Sequence, residues 1–128
     1  MQEAIEELKR YYPTLQSIEI KTNQIKMIES QLDLINSKEN IEMLKSRKKE
    51  LKAEIKASKI FCEYVQGVIN SLCSKDKMVL TEFFLEGKTA SEAVESLLLR
   101  MNRFEPSSVY RSRKRAIENY AKATKKCK

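Results

Sequence analysis

The sequence predicts an all-α protein: a long N-terminal helical hairpin or coiled coil followed by a C-terminal helix-turn-helix bundle. Three observations carry this expectation. Only two glycines and two prolines interrupt 128 residues, so helix breakers are scarce. The chain is rich in Lys, Glu, Leu, Ile and Ser, and its 34% charged and 7% aromatic fractions suit long helices with much exposed surface. Its apolar residues recur at helical rather than strand spacing. A hydrophobic fraction of 41% is enough for a core, and this length makes one domain or two small ones. The expected division is residues 1–73 for the hairpin and 74–128 for the helix-turn-helix.

In order along the chain, Ile5, Leu8 and Tyr12 mark one side of a short helix over residues 3–11, which the Tyr12-Pro13 step should end. A second helix is expected from about Thr14. Ile18, Ile25 and Leu32 are spaced by seven on it, with Ile28 and Ile35 at the complementary position. The polar run Asn36-Ser-Lys-Glu-Asn40 interrupts this seam and reads as a hairpin turn. A third helix then begins near Lys38 or Ile41 and continues to Leu72. Ile41, Leu44, Leu51, Ile55, Cys62, Val65, Ile69 and Leu72 form its stripe, with Lys48 and Ser58 as weak positions. At 1.5 Å per residue such a helix reaches ~48 Å, so either the preceding helix or a second copy of the chain must cover it. A hairpin that also forms a homodimer satisfies both.

Beyond it, Ser74 and Asp76 suit a helix start and Gly87 a helix end. Thr89 followed by Glu92 has capping-box spacing and opens a helix through about Leu99. Pro106 then keeps Glu105 out of the helical region, Ser107 or Ser108 can cap, and the chain runs on without a breaker. On a 3.6-residue period Val109, Ala116, Ile117 and Tyr120 share one face of this last helix. Arg111, Lys114, Arg115, Glu118 and Lys122 share the other. Tyr110 sits at the border, and Arg113 lies toward the apolar side, where its stem should pack and its head reach the rim.

Charge singles out the same helix. Residues 100–128 hold ten basic and two acidic side chains, so nearly all of the net +7 lies in the last quarter of the chain. A basic helical end can be a mere solvated face, but two helices in tandem ahead of it make a phosphate-binding footprint the stronger reading.

The run Ser74-Lys-Asp-Lys-Met-Val-Leu, then Phe84-Leu-Glu-Gly-Lys, Ser91-Glu-Ala and Ser108-Val-Tyr-Arg-Ser-Arg-Lys-Arg-Ala-Ile resembles the C-terminal domain of sigma-factor region-four proteins. In particular it is similar to small late-gene transcription activators of Gram-positive phages, the ArpU and RinA type. The resemblance covers roughly residues 70–122, and its connection from Leu98 to Pro106 is longer than the short turn of that family. It implies a phage-type DNA-binding transcription regulator whose recognition helix brings Ser107, Ser108, Tyr110, Arg111, Lys114 and Arg115 to double-stranded DNA. Val109, Ala116 and Ile117 would be core. Lys122, further along the basic face, would reach a phosphate.

Other chemistry finds little support. The chain has no histidine, which removes the commonest general base and metal ligand, and its three cysteines, Cys62, Cys73 and Cys127, form no C-x-x-C pair. No enzyme activity, metal or cofactor is expected. An odd cysteine count without a signal peptide or a membrane-length apolar run suggests the reducing cytoplasm. The alternative function is a protein-interaction module in which a degenerate helix-turn-helix scaffold docks on RNA polymerase or another host protein.

Overall fold

The computed structural model describes residues 2–35 and 37–127, with side chains through 125. The fold is all-α. Helices α1 (Gln2–Leu32), α2 (Lys38–Asn70), α3 (Ser74–Leu80), α4 (Ala90–Arg100) and α5 (Pro106–Cys127) follow one another, with a π-helical turn, Thr81–Leu85, extending α3. No strand occurs among the described residues.

The first two helices form the expected hairpin. Lys21 pairs with Glu54 at 3.3 Å and Glu29 with Lys48 at 3.3 Å, so moving back along α1 moves forward along α2. Lys48, a weak position in the apolar stripe, is thus matched by a carboxylate across the seam. Every member of the α2 stripe from Ile41 to Ile69 is buried or half-buried, as its heptad spacing requires; Leu72, expected to close the helix, lies just past its end at Asn70 and is half-buried. The N–H groups of Leu34 and Ile35 both bond to the Gln31 carbonyl and close α1, and Ser37 accepts the first helical bond of α2 from Ile41. Of the polar run expected to turn the chain, Asn36 lies outside the described residues.

One expectation about the start of the chain is corrected. Pro13 does not end a helix; it lies inside an unbroken α1. Proline in a helix interior forfeits one hydrogen bond and costs ~3 kcal/mol. Here the carbonyl it leaves unpaired belongs to Lys9, which is exposed and open to water, while Leu8 and Tyr11 are buried and hold the helix in place.

The chain packs as two compact units, Met1–Tyr12 with Glu63–Lys128, and Pro13–Cys62. The C-terminal unit is discontinuous and takes in the beginning of α1 and the end of α2. Three contacts tie the first residues into it. Tyr11 Oη donates to Gln66 Oε1 at 2.8 Å, Tyr120 Oη donates to Glu7 Oε1 at 2.5 Å, and the Tyr12 ring lies against Gly87. Leu8, Val65, Ile69, Val79, Leu80, Leu97, Val109, Ala116, Ile117 and Tyr120 form the buried core of this unit. The other unit, the distal hairpin, buries Ile28, Leu51 and Cys62; burial pushes the Cys62 thiol pKa up.

The caps explain how the C-terminal helices begin and end. Cys73, not Ser74, stands at the N-cap of α3, with no side-chain cap bond. Gly87 closes the π-helical turn at φ 71°, a left-handed conformation that glycine adopts without a Cβ penalty. The Thr89–Glu92 capping box forms in full, at 3.2 and 3.1 Å, and its bonds hold the Glu92 carboxyl below its ordinary pKa. At the other end of α4, Asn102 takes φ 53°, its N–H bonds to Leu99 O, and the Arg103 N–H reaches back to Leu98 O at 3.0 Å. That is a Schellman motif with asparagine in the glycine position. Pro106 opens α5 as its first residue, where a missing N–H costs nothing.

Candidate nucleic-acid interface

Helix α5 is held by its apolar face. Val109, Ala116, Ile117 and Tyr120 are fully or almost fully buried, as their spacing predicts, and the helix packs on α3 and α4. Two polar contacts fix its rotation. Asn119 Nδ2 donates to the buried Asp76 of α3 at 2.7 Å, and the Tyr120 hydroxyl is anchored on Glu7. With the core face pinned at these points, the opposite face has to point to solvent.

That outward face carries the expected residues. Ser107, Arg111, Lys114, Arg115 and Lys122 are exposed, Tyr110 is 48% exposed, and Ser108 is half-buried. The serines do not cap the helix as the sequence suggested. Instead the Ser108 hydroxyl donates to the Glu105 carbonyl at 2.9 Å, because Pro106 has already taken the first helical position. Tyr110 leans on Phe83, ring centroids 6.2 Å apart, so its ring packs on one side while about half of the residue stays exposed.

Arg113 behaves differently from expectation. Its guanidinium does not escape to the rim; it stacks over Phe83 and Phe84, 5.3 and 5.2 Å from the two centroids. Adjacent residues of a regular α-helix point about 100° apart. The π-helical turn at Thr81–Leu85 widens this stretch, and both rings meet the same arginine. Arg113, half-buried, is therefore a structural link between α5 and the end of α3.

Two of the other basic residues, Arg111 and Arg115, converge with cations from outside the helix, whereas Lys114 and Lys122, like Ser107 and Tyr110, do not line the same groove. Arg111, Arg115, Ser108 and Ser112 of α5 line a groove of about 290 Å³ together with Lys75 of α3 and Arg103 of the α4–α5 turn. No carboxylate lines it. Among the described residues no ion pair is formed by Lys75, Arg103, Arg111 or Arg115, whereas Arg100 and Lys88 of the same unit are both committed to the buried Glu82. Like charges gathered without counter-charges repel one another, an arrangement relieved by a bound anion.

Three members of this set, Lys75, Arg103 and Ser112, escaped the sequence reading. Ser112 was legible in principle, since 108, 111, 112 and 115 follow a helical row. Lys75 and Arg103 were not, because their approach depends on how α3 and the turn pack against α5. Among the described residues no cluster of three metal-ligating side chains occurs, and no helix is long and apolar enough to cross a membrane. Comparison with protein-family models, with curated proteins and with solved structures finds no match.

Proposed function

We propose that the protein is a sequence-specific reader of double-stranded DNA that regulates transcription and acts as a homodimer through its hairpin helices. One observation carries the reading. A helix buried on one face offers a row of exposed Ser, Tyr, Arg and Lys on the other, with a carboxylate-free basic groove along its flank. A helix of this kind fits the major groove, where its first turns meet base edges and cationic residues meet phosphates. The resemblance to sigma-factor region-four proteins and to phage late-gene activators supports a transcriptional role and a phage or prophage origin.

Dimerisation is supported by what the distal hairpin leaves uncovered. Ile20, Met27, Leu34, Met43 and Ile60 are exposed, and a shallow groove of about 230 Å³ is lined by Met27, Ile28 and Leu51 with Gln24, Gln31 and Arg47. Two antiparallel helices cannot bury stripes this wide, and a second hairpin of the same chain supplies a matching surface. A dimer also presents two reading helices to paired half-sites, which compensates for the weak binding of one.

The test is selection of bound fragments from genomic DNA by the purified protein, beside a variant with Arg111, Lys114 and Arg115 all changed to Ala. A single enriched motif that disappears in the triple variant is the expected result. No enrichment, or equal retention by the variant, overturns the reading. One observation favours a second reading, docking on RNA polymerase or another host protein: Leu99 and Phe104, at the end of α4 and in the turn, are 80% and 91% exposed. Capture of polymerase by the wild-type protein but not by a Leu99→Ser/Phe104→Ser variant, in the absence of DNA, would support it.

A further inference from the structure

We propose that the groove between α3, the α4–α5 turn and α5 is a phosphate-binding site that takes neighbouring phosphate groups, from one strand of a nucleic acid or from a small polyphosphate. For its nucleic-acid arm the inference rests on the DNA-reading function, and it assigns the residues of α5 to separate tasks.

Its lining comes from elements remote in sequence. Lys75 projects from the first turn of α3, Arg103 from the turn before α5, and Ser108, Arg111, Ser112 and Arg115 from one flank of α5. The four charged members are all exposed, and none has a carboxylate partner among the described residues. Three arginines facing one groove offer planar forks of N–H donors, the geometry that matches phosphate oxygens in pairs. The Ser112 hydroxyl can add a donor, while that of Ser108 is occupied by the Glu105 carbonyl. The groove, about 290 Å³, is far larger than the space one water needs and leaves room for more than one tetrahedral oxyanion.

The lengthened turn has a purpose in this scheme. The Schellman motif at Asn102 fixes the path of the chain by two backbone bonds, and the residue it delivers next is Arg103. A flexible arginine would lose rotational freedom on meeting a phosphate; one carried on a fixed turn loses less. The extra residues thus place a cation beside the reading helix that the helix itself could not supply.

The division of labour follows from position. Ser108, Arg111, Ser112 and Arg115 form the row at i, i+3, i+4 and i+7 that borders the groove, and of these Arg111, Ser112 and Arg115, with Lys75 and Arg103, anchor phosphates. Ser107, Tyr110 and Lys114, the row facing outward, are left to meet base edges. Phosphate contacts set position and strength without sequence preference, whereas base contacts set preference. Arg111 and Arg115 accordingly contribute affinity on every sequence.

The test uses the full-length protein with Lys75→Gln/Arg103→Gln, beside a control of equal charge change, Lys9→Gln/Lys52→Gln, at exposed lysines outside the groove. Two readouts are made: calorimetric titration with inorganic pyrophosphate, and the slope of log affinity against log salt on a mixed-sequence duplex. If both substituted cations neutralise phosphates of the duplex, the slope becomes shallower by about 1.8, at roughly 0.9 for each contact. That change, absent in the control, establishes the site with a nucleic-acid strand as occupant. Loss of pyrophosphate binding with an unchanged slope establishes it for a small polyphosphate. If the wild type binds no duplex but holds pyrophosphate in a groove-dependent way, the DNA reading fails and the site stands. If the groove variant matches the wild type in both readouts, or the wild type binds neither probe, the proposal is overturned; normal duplex binding in the first case leaves the DNA reading intact.

Discussion

Gly87 concentrates two demands in one residue. Its φ of 71° disfavours any L side chain, and a Cβ placed there would overlap the ring carbons of Tyr12. Gly87→Ala should therefore destabilise the protein by at least the ~1–2 kcal/mol of a left-handed alanine, read as a lower urea midpoint. Because the ring is half of the conflict, Tyr12→Ala combined with Gly87→Ala should cost less than the two changes added, and strict additivity would show that no clash occurs. Tyr120 gives a second prediction. Burial pushes its phenol well above the ordinary tyrosine pKa, helped by the bond to Glu7. An acid whose folded pKa is raised is neutral in both states below its unfolded value, so its contribution is intact there. Above about pH 10 the unfolded chain ionises first and stability falls. Tyr120→Phe should cost about 1 kcal/mol at neutral pH and flatten the alkaline limb of a plot of Tm against pH. At this scale the core face of α5 was legible, because burial of Val109, Ala116, Ile117 and Tyr120 follows from period alone. Arg113 was not: its partners Phe83 and Phe84 reach it through a π-helical turn that leaves no plain mark in sequence.

Element by element, boundaries set by side chains were the easiest to read. The Thr89–Glu92 box formed where its spacing placed it, and Thr89→Ala should cost ~1 kcal/mol in chemical denaturation. Its Glu92 carboxyl, held below the ordinary carboxylate range by the Thr89 backbone bond, contributes stability above that range and loses it as pH falls through the lowered value. Glu92→Gln preserves the box but cannot titrate, so it should flatten the acid limb of the same plot. The α4–α5 turn supplies a sharper contrast. Asn102→Gly should be neutral or stabilising and Asn102→Ala should lose ~1–2 kcal/mol, since only the backbone conformation differs. If both variants behave alike, the left-handed cap is not what shapes the turn. Pro13 shows where local rules yield. The preceding-residue restriction that ends many helices was overridden by packing of Leu8 and Tyr11, an effect invisible until the tertiary neighbours are known.

At the level of the whole molecule, the hairpin and the C-terminal helices were legible because both rest on periodicity and composition. Their assignment to units was not, since it depends on contacts such as Glu7 to Tyr120 that span 113 residues of sequence. The exposed Ile20 and Met27 in the distal unit lead to a prediction on assembly. Sedimentation of the wild-type chain should give a dimer and that of Ile20→Glu/Met27→Glu a monomer with helicity retained; a monomeric wild type would remove the pairing role of the hairpin. The discontinuity of the C-terminal unit has its own consequence. Residues 13–62 leave and re-enter that unit within the span of one pair of antiparallel helices, as an insertion would. A single cut in the polar turn between α1 and α2 would leave each fragment with part of both units, neither with a complete one. The two pieces should then find each other and restore the folded protein, making the hairpin tip a natural point for fragment complementation.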